Sequence, residues 1–159
     1  MLTTEWGEAL DREHPLPEHP LPEYPRPQLR RESYLNLNGP WEYAITRGSD
    51  EPEEYDGEII VPFAPESELS GVGRTLQPGE YLWYRRDLVL PEGFNVGRVL
   101  LHFGAVDQTA HVWVNGREAC SHSGGFLGFS ADITELLYAE GEANELVVCV
   151  TDDTDKGYH

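Results

Sequence analysis

The chain has 159 residues, a length typical of one domain of ~100–150 residues around a single core. With 29 Asp and Glu against 11 Lys and Arg, its formal net charge is −18, which repels nucleic-acid phosphates and anionic membrane surfaces and excludes both as expected partners. The same charge suits a soluble protein, or one whose neutral ligand is bound by hydrogen bonds to carboxylates.

The first segment, residues 1–28, is predicted to be an extended N-terminal arm. Between Glu13 and Gln28 six prolines occur in EHPLPEHPLPEYPRPQ, and that density excludes a helix. The repeat within this segment, EHPLPEHPLPEYP, is also typical of ligands of proline-recognising modules, although such ligands are usually mobile tails of signalling proteins. We favour an arm that lies across a sheet of the domain formed by residues 29–159.

The segments after the arm alternate polar and apolar residues with the period of two that marks β-strands. The predicted strands are 41–47, 58–63, 80–90, 99–103, 109–114, 117–122 and 144–151; a Gly-rich loop, residues 129–133 and a short helical turn at 134–138 precede the last strand. Asn115-Gly116 tolerates positive φ and predicts a tight hairpin turn. The pattern predicts an all-β fold, an antiparallel β-sandwich. At this length we favour jelly-roll order over an immunoglobulin-type sandwich of ~100 residues.

The two cysteines, Cys120 and Cys149, lie in strand-like segments without the CxxC spacing of metal or redox sites. Cys149 stands in an apolar run, where a free thiol behaves as a small buried hydrophobe. The N-terminal MLTTEWGEAL has no basic or apolar signal region, and no apolar run in the chain is long enough to cross a membrane. We therefore expect a reduced, cytoplasmic setting.

Six sequence pieces, colinear along the chain, resemble one family. They are PRPQLRRESYLNLNGPWEY, IIVPFAPES, LWYRRDLVLP, VLLHFGAVDQTAHVWVNGRE, HSGGFLGFSADITELL and NELVVCVTDDTD. Together they resemble the N-terminal sugar-binding jelly roll, a galactose-binding-domain-like fold, of glycoside hydrolase family 2, the family of β-galactosidases, β-glucuronidases and β-mannosidases. In the family a further loop and a final strand follow the DDTD-like segment, so we expect this jelly roll to be truncated before its last strand.

The resemblance implies a carbohydrate partner, no cofactor, and a parent enzyme that hydrolyses β-glycosides with retention. Its two catalytic glutamates stand in a later (β/α)8 barrel, which would be the second partner of this domain. We therefore expect no catalytic residue in this chain, and the sequence leaves open whether the chain belongs to an active enzyme. The chain also lacks a G-x-S-x-G elbow, an H-E-x-x-H helix and a P-loop, so the sequence does not indicate a serine hydrolase, a zinc protease or a nucleotidase.

The acidic cluster Asp152, Asp153 and Asp155 follows the last apolar strand. Acids so close repel one another unless a positive or hydrogen-bond-donating group stands among them. In β-galactosidases of the family, the loop at this place sends an aspartate into the active site of the barrel, where it contacts the sugar and a cation. The resemblance implies that role for Asp155, with Asp152 and Asp153 shaping the loop. All three are candidate substrate-binding residues with a metal partner left open; the alternative is a solvated acidic loop end.

Aromatic rings are the other route to sugar binding. Trp41, Trp83 and Trp113 fall on strands, where a role in the core is expected. His102 and His111 are expected to be satisfied polar residues rather than ligands. The loop Ser123-Gly124-Gly125 is interpreted as a backbone geometry that requires glycine rather than as a binding site.

The leading hypothesis is a non-catalytic jelly roll that packs against a catalytic barrel and contributes a loop to its substrate pocket. A free-standing carbohydrate-binding module is the alternative. A third hypothesis is an interaction domain whose missing final strand comes from a partner chain. The sequence does not separate galactoside, glucuronide and mannoside specificity, and it leaves the oligomeric state open, a homo-oligomer included.

Overall fold

The computed structural model describes residues 5–8, 11 and 33–152. Most of the predicted proline-rich arm, including the segment from Glu13 to Gln28, lies outside the described residues, and so do residues 153–159. A short helix, α1, spans Glu5–Glu8 in the described part of the arm. None of the helices in the described ranges is long and apolar enough to span a membrane.

Almost all of the regular secondary structure in the described residues is β-strand. These are β1 (Gly39–Thr46), β2 (Gly57–Val61), β3 (Tyr81–Val89), β4 (Leu100–Phe103), β5 (Thr109–Val114), β6 (Arg117–Ser123), β7 (Phe129–Asp132) and β8 (Ala143–Thr151). Single 3-10 turns occupy Glu68–Ser70 and Thr134–Leu136. β7 lies in the segment 129–133, beside the Gly-rich loop, and the other strands match the predicted ones within two residues at each end.

The strands form antiparallel sheets. One sheet has six strands in the order β2-β1-β3-β8-β5-β6, and the other pairs β4 with β7. The predicted all-β, antiparallel β-sandwich with jelly-roll character is therefore confirmed. Strands that are neighbours in the sheet, such as β3 and β8, can be distant in the sequence. Trp83, for example, pairs with Cys149, which is more than 60 positions away.

The chain divides into two compact units. Unit 1 comprises Met1–Trp41 and Glu58–Thr75, and unit 2 comprises Glu42–Gly57 and Leu76–His159. In unit 1, Trp41 is buried and its indole nitrogen donates a hydrogen bond to the carbonyl of Leu37 at 2.7 Å. Ile59 is also fully buried there. Trp41 thus has the role in the core that its strand position predicted.

The core of unit 2 occupies both faces of its central strands, β3 and β8. Paired residues of antiparallel strands share a face, so the register places Leu82 with Val150 on one face and Trp83 with Cys149 on the other. The second face holds a buried cluster with half-buried aromatic residues packed around it: Ala44, Trp83, Val147 and Cys149, with Tyr55, Tyr81 and Trp113. Burial on both faces explains why the apolar residues of β8 run on without alternation.

The cysteines behave as their sequence positions predicted. Both are free thiols, Cys149 buried and Cys120 partly buried. Burial raises the pKa of Cys149 to about 12 and raises that of Cys120 as well. Cys149 is therefore a small buried hydrophobe rather than a reactive thiol.

A buried amide network closes the end of unit 2 at the β5–β6 turn. Asn115 has φ 52° and Gly116 φ 71°, the positive pair that a type I′ hairpin turn requires, which confirms the predicted turn. The Asn144 side chain, 1% exposed, accepts hydrogen bonds from Asn115 Nδ2 at 2.8 Å and from the Tyr138 amide at 2.7 Å. It also donates to the Leu88 carbonyl at 3.3 Å. We call these residues the closed end.

Candidate functional site

The predicted sugar-contacting residues begin where β8 ends. Asp152 follows Thr151 directly, is half-buried, and has its Oδ1 atom buried. Asp153 and Asp155 lie outside the described residues. The structure therefore locates one of the three candidate residues, and the role of all three stays a prediction.

Backbone hydrogen bonds bring two distant loops to the end of β8. The amide of Gln108, in the loop between β4 and β5, donates to the carbonyl of Thr151 at 3.2 Å. The carbonyl of Gln108 in turn accepts from the amide of Gly124, in the loop between β6 and β7, at 2.8 Å. Three segments thus meet at the opposite end of β5 from the closed end. We call them the exit end: residues 104–108, 124–128 and 151–152.

Close approaches explain the glycines of the β6–β7 loop. A Cβ atom on Gly125 would fall on the Asp107 carboxylate, and one on Gly128 would lie 2.8 Å from the Phe103 carbonyl oxygen. Gly124 has φ 124°, a conformation that other residues rarely adopt. The sequence interpretation of this loop as backbone geometry that requires glycine is therefore confirmed, with a close side-chain contact at Gly125 and a close backbone contact at Gly128 as added causes.

A stack of rings supports the loop from β4, β6 and β7. The His122 and Phe129 rings stack with centroids 4.4 Å apart, and Phe103 stacks on the Phe129 ring at 4.7 Å. The Nε2 atom of His122 lies 3.2 Å from the carbonyl oxygen of Gly124. His122 thus links the ring stack to the first glycine of the loop.

Phe126 and Leu127 project from the exit end. Their side chains are 77% and 73% exposed, although both residue types are normally buried. Neither residue was predicted from the sequence to be a functional candidate. The available signal was SGGFLGF, in which two large apolar residues stand between glycines and outside any alternating strand pattern.

The exit end carries negative charge. Asp107, which is exposed, and Asp152 are the charged side chains among residues 104–108, 124–128 and 151–152. Carboxylates accept hydrogen bonds from sugar hydroxyls, whereas they repel an anionic group of a ligand. The arrangement therefore suits hydroxyl contacts. Within the described ranges, no group of three His, Cys, Asp or Glu residues stands close enough to hold a metal ion.

The strand tryptophans of unit 2 have structural roles. The Trp83 indole nitrogen donates to Thr46 Oγ1 at 3.0 Å, and its ring stacks on Trp113 with centroids 5.9 Å apart. Trp113 also stacks on His111 at 5.9 Å. Trp83 is buried and Trp113 half-buried, so their expected place in the core is confirmed and neither ring is displayed as a flat sugar platform.

The two strand histidines differ in their contacts. His102 Nδ1 forms a hydrogen bond with Ser130 Oγ at 2.5 Å, which confirms the expected satisfied polar residue. His111 instead makes a ring contact with Trp113. Both residues are exposed on their strands.

An ion pair lies on the face of unit 2 that holds Trp83. Arg85 Nε donates to Glu42 Oε2 at 2.7 Å, and this hydrogen bond lowers the pKa of Glu42. The guanidinium lies over the Tyr55 ring, 4.0 Å from its centroid. Burial, reinforced by the charge of Glu51, raises the pKa of Tyr55, so the phenol stays neutral. This arrangement is a satisfied surface network.

The chain is similar to known glycosidases along most of its length. The model of the family described as glycosyl hydrolases family 2, sugar binding domain, matches residues 71–158. A β-glucuronidase of Paenibacillus borealis is 39% identical over 69 residues, which are 43% of this chain and 11% of the relative. The β-glucuronidase of Homo sapiens is 42% identical over 60 residues, 36% of this chain and 9% of the relative.

Solved structures that this chain matches are also β-glucuronidases. The β-glucuronidase of Faecalibacterium prausnitzii superimposes with a TM-score of 0.57 at 33% identity, covering 72% of this chain and 20% of that one. The Ruminococcus gnavus β-glucuronidase, at 23% identity and a TM-score of 0.60, shares the fold over 73% of this chain and 21% of its own. This chain thus spans about a tenth of these curated relatives and about a fifth of these solved chains. The exit end lies inside the range that the family model matches.

Proposed function

Since the chain belongs to glycosyl hydrolase family 2 and carries the family's sugar binding domain, we propose that it is the non-catalytic accessory domain of a retaining glycosidase that acts on β-glucuronides. In this proposal it packs against the catalytic barrel and contributes the segment after β8 to the substrate pocket. The observation that carries the proposal is the family match together with relatives that are named β-glucuronidases.

The titration behaviour of the described carboxyl groups supports a non-catalytic role. Retaining hydrolysis requires two carboxyl groups ~5–5.5 Å apart, one of them with a raised pKa so that it can act as an acid. The carboxyl groups with a clearly shifted pKa among the described residues are Glu42, Asp132 and Glu140, and all three are shifted downward by hydrogen bonds. Such groups stay ionised near neutral pH and are poor general acids.

The charge of the exit end suggests how it takes part in binding. A β-glucuronide carries its own carboxylate, which Asp152 and Asp107 would repel. We therefore assign Asp152, Asp153 and Asp155 to the hydroxyl groups of the sugar, with Asp155 as the main contact. Recognition of the sugar carboxylate then belongs to cationic groups of the catalytic barrel.

A domain exchange tests the proposal. The 159-residue chain replaces its counterpart in the F. prausnitzii β-glucuronidase, and hydrolysis of 4-nitrophenyl β-D-glucuronide is measured for the chain alone and for the chimaera. We expect no hydrolysis by the chain alone and clear hydrolysis by the chimaera. Asp155→Asn should lower kcat/KM of the chimaera ~10–100-fold, the range for one lost hydrogen bond to a charged group. Glu92→Gln, an exposed acid on another loop, is the matched control.

Two outcomes would contradict the proposal. Hydrolysis by the chain alone would show that it carries its own catalytic groups. A folded chimaera without activity on β-glucuronides would show that the domain does not serve this kind of barrel. Calorimetric titration of the chain alone with glucuronides, galactosides and mannosides tests the alternative of a free-standing carbohydrate-binding module, which predicts binding without a barrel.

A cytoplasmic setting is proposed as well, and the two free thiols support it.

A further inference from the structure

The exit end displays an apolar pair that the fold of unit 2 does not use. Other large apolar side chains of the described residues are also exposed, namely Leu35, Val89, Val96, Leu100 and Tyr138, but these stand singly along the chain. Phe126 and Leu127 are adjacent and more than 70% exposed. Adjacent exposed apolar residues mark contact surfaces more often than scattered single ones do.

The loop holds this pair in a fixed position. Its first residue, Gly124, is hydrogen-bonded to Gln108, and its last, Gly128, lies against the carbonyl of Phe103 with no room for a Cβ atom. Between them Gly125 packs against the Asp107 carboxylate. A surface that is fixed before binding loses little conformational freedom on binding, as a docking surface requires.

The pair also lies on a loop that is linked to the end of β8. Gln108 is bonded on one side to Gly124, at the base of the loop, and on the other to Thr151, the last residue of β8. The relatives named above are about five to eleven times longer than the part that this chain matches. In the proposed function, the rest of such a protein includes the catalytic barrel, and we take that barrel as the partner of the Phe126–Leu127 loop.

The charge around the pair defines the chemistry of its partner. Asp107 lies beside the loop at Gly125, and Asp152 follows Thr151. No cationic residue belongs to the exit end, and the whole chain carries a net charge of −18. A second copy of this chain would bring like charges together, which disfavours self-association through this surface. The surface fits a partner with an apolar pocket and a basic rim.

We propose that Phe126 and Leu127 form a docking knob that inserts into an apolar, basic-rimmed pocket on the catalytic domain of the glycosidase. This inference rests on the proposed function and names the surface through which the accessory domain meets its barrel. The knob fixes the position of the segment after Asp152 relative to the barrel, so its effect on substrate is indirect. Phe126 and Leu127 are thus positioning residues rather than sugar ligands.

The chimaera described above provides the test. Amide hydrogen exchange of residues 125–128 is compared between the chain alone and the chimaera, and we expect at least about tenfold slower exchange in the chimaera because docking covers the loop. The double variant Phe126→Ser, Leu127→Ser should leave the melting temperature of the chain alone unchanged and lower that of the chimaera. Val96→Ser, at a single side chain that is 82% exposed elsewhere, should change neither.

The outcomes separate this inference from the proposed function. Equal exchange of residues 125–128 in the two proteins, in a chimaera that hydrolyses β-glucuronides, would overturn the docking knob alone. A folded chimaera with a protected loop and no activity would support the knob and overturn the proposed function. A chimaera that does not fold counts against both, because a domain with the proposed docking surface must be able to replace its counterpart.

Discussion

Replacing Gly128 with alanine should destabilise the exit end because its Cα approaches the backbone of β4. The added Cβ would lie 2.8 Å from the Phe103 carbonyl oxygen and 3.1 Å from that of Gly104, whereas ordinary contacts begin at 3.4 Å. A backbone carbonyl of a paired strand cannot rotate away, so the loop or β4 must move by about 0.6 Å. Overpacking of this kind costs about 1–3 kcal/mol.

The unfolded chain offsets part of that cost. Alanine restricts the unfolded chain more than glycine does, which stabilises the native state by ~0.4–1 kcal/mol where the site has room. Gly97→Ala is the matched control, because nothing lies within 4 Å of its added Cβ and its φ is not positive. We therefore expect the free energy of unfolding to fall by about 1–2 kcal/mol for Gly128→Ala and to stay equal or rise slightly for Gly97→Ala.

Urea unfolding followed by tryptophan fluorescence measures both variants, since the chain has four tryptophans. The difference between them, about 2 kcal/mol, corresponds to ~1 M in the urea midpoint at a typical m-value. Equal midpoints for Gly128→Ala and Gly97→Ala would show that the loop does not approach β4 closely, and the fixed position of the docking knob would then lose its physical basis.

Three further predictions concern the rest of unit 2. Asn144→Ala removes four hydrogen bonds at the closed end and should lower the free energy of unfolding by about 3–5 kcal/mol, measured in urea. Thr46→Val leaves the buried Trp83 indole N–H without its acceptor and should lower the free energy of unfolding by about 1–2 kcal/mol. A double-mutant cycle checks this, because Thr46→Val should lose that effect in a Trp83→Phe background. Hydrogen bonds from Thr134 lower the pKa of Asp132 from 3.8 to about 2, so its contribution to stability is complete above pH 3.8 and is lost as the pH falls toward 2; Asp132→Asn should remove this part of acid unfolding, and an unchanged acid transition would contradict the assignment.

Local signals in the sequence were sufficient for the fold. Asn115-Gly116 specifies its turn through two residues that tolerate positive φ, and the apolar run of β8 is long enough to predict a buried strand. β7 is four residues long, FSAD, which is too short for a period of two to be distinguished from a loop. The family resemblance was based on six sequence pieces in one order along the chain. That order follows the order of the strands in the fold, and the family match confirms the resemblance.

The exit end was beyond the reach of local signals. It exists because Gln108 bonds both Thr151 and Gly124, residues 43 and 16 positions away in the chain. The need for glycine in the β6–β7 loop was predicted correctly, yet the groups that exclude a Cβ, Asp107 and Phe103, come from another loop and strand. The exposure of Phe126 could not be predicted either, because an apolar residue beside glycines is equally compatible with burial.

The two ends of unit 2 differ in the interactions that hold their loops together. At the closed end, the side-chain amides of half-buried Asn115 and buried Asn144 join the β5–β6 turn to the start of β8. At the exit end, the segments are joined by backbone hydrogen bonds through Gln108, by close glycine contacts, and by the His122 ring beside the Gly124 carbonyl. A domain anchored at one end can present loops at the other without loss of its core. The acidic exit end, with its exposed apolar pair, is therefore the end to which our proposal assigns the contacts with a sugar and a catalytic barrel.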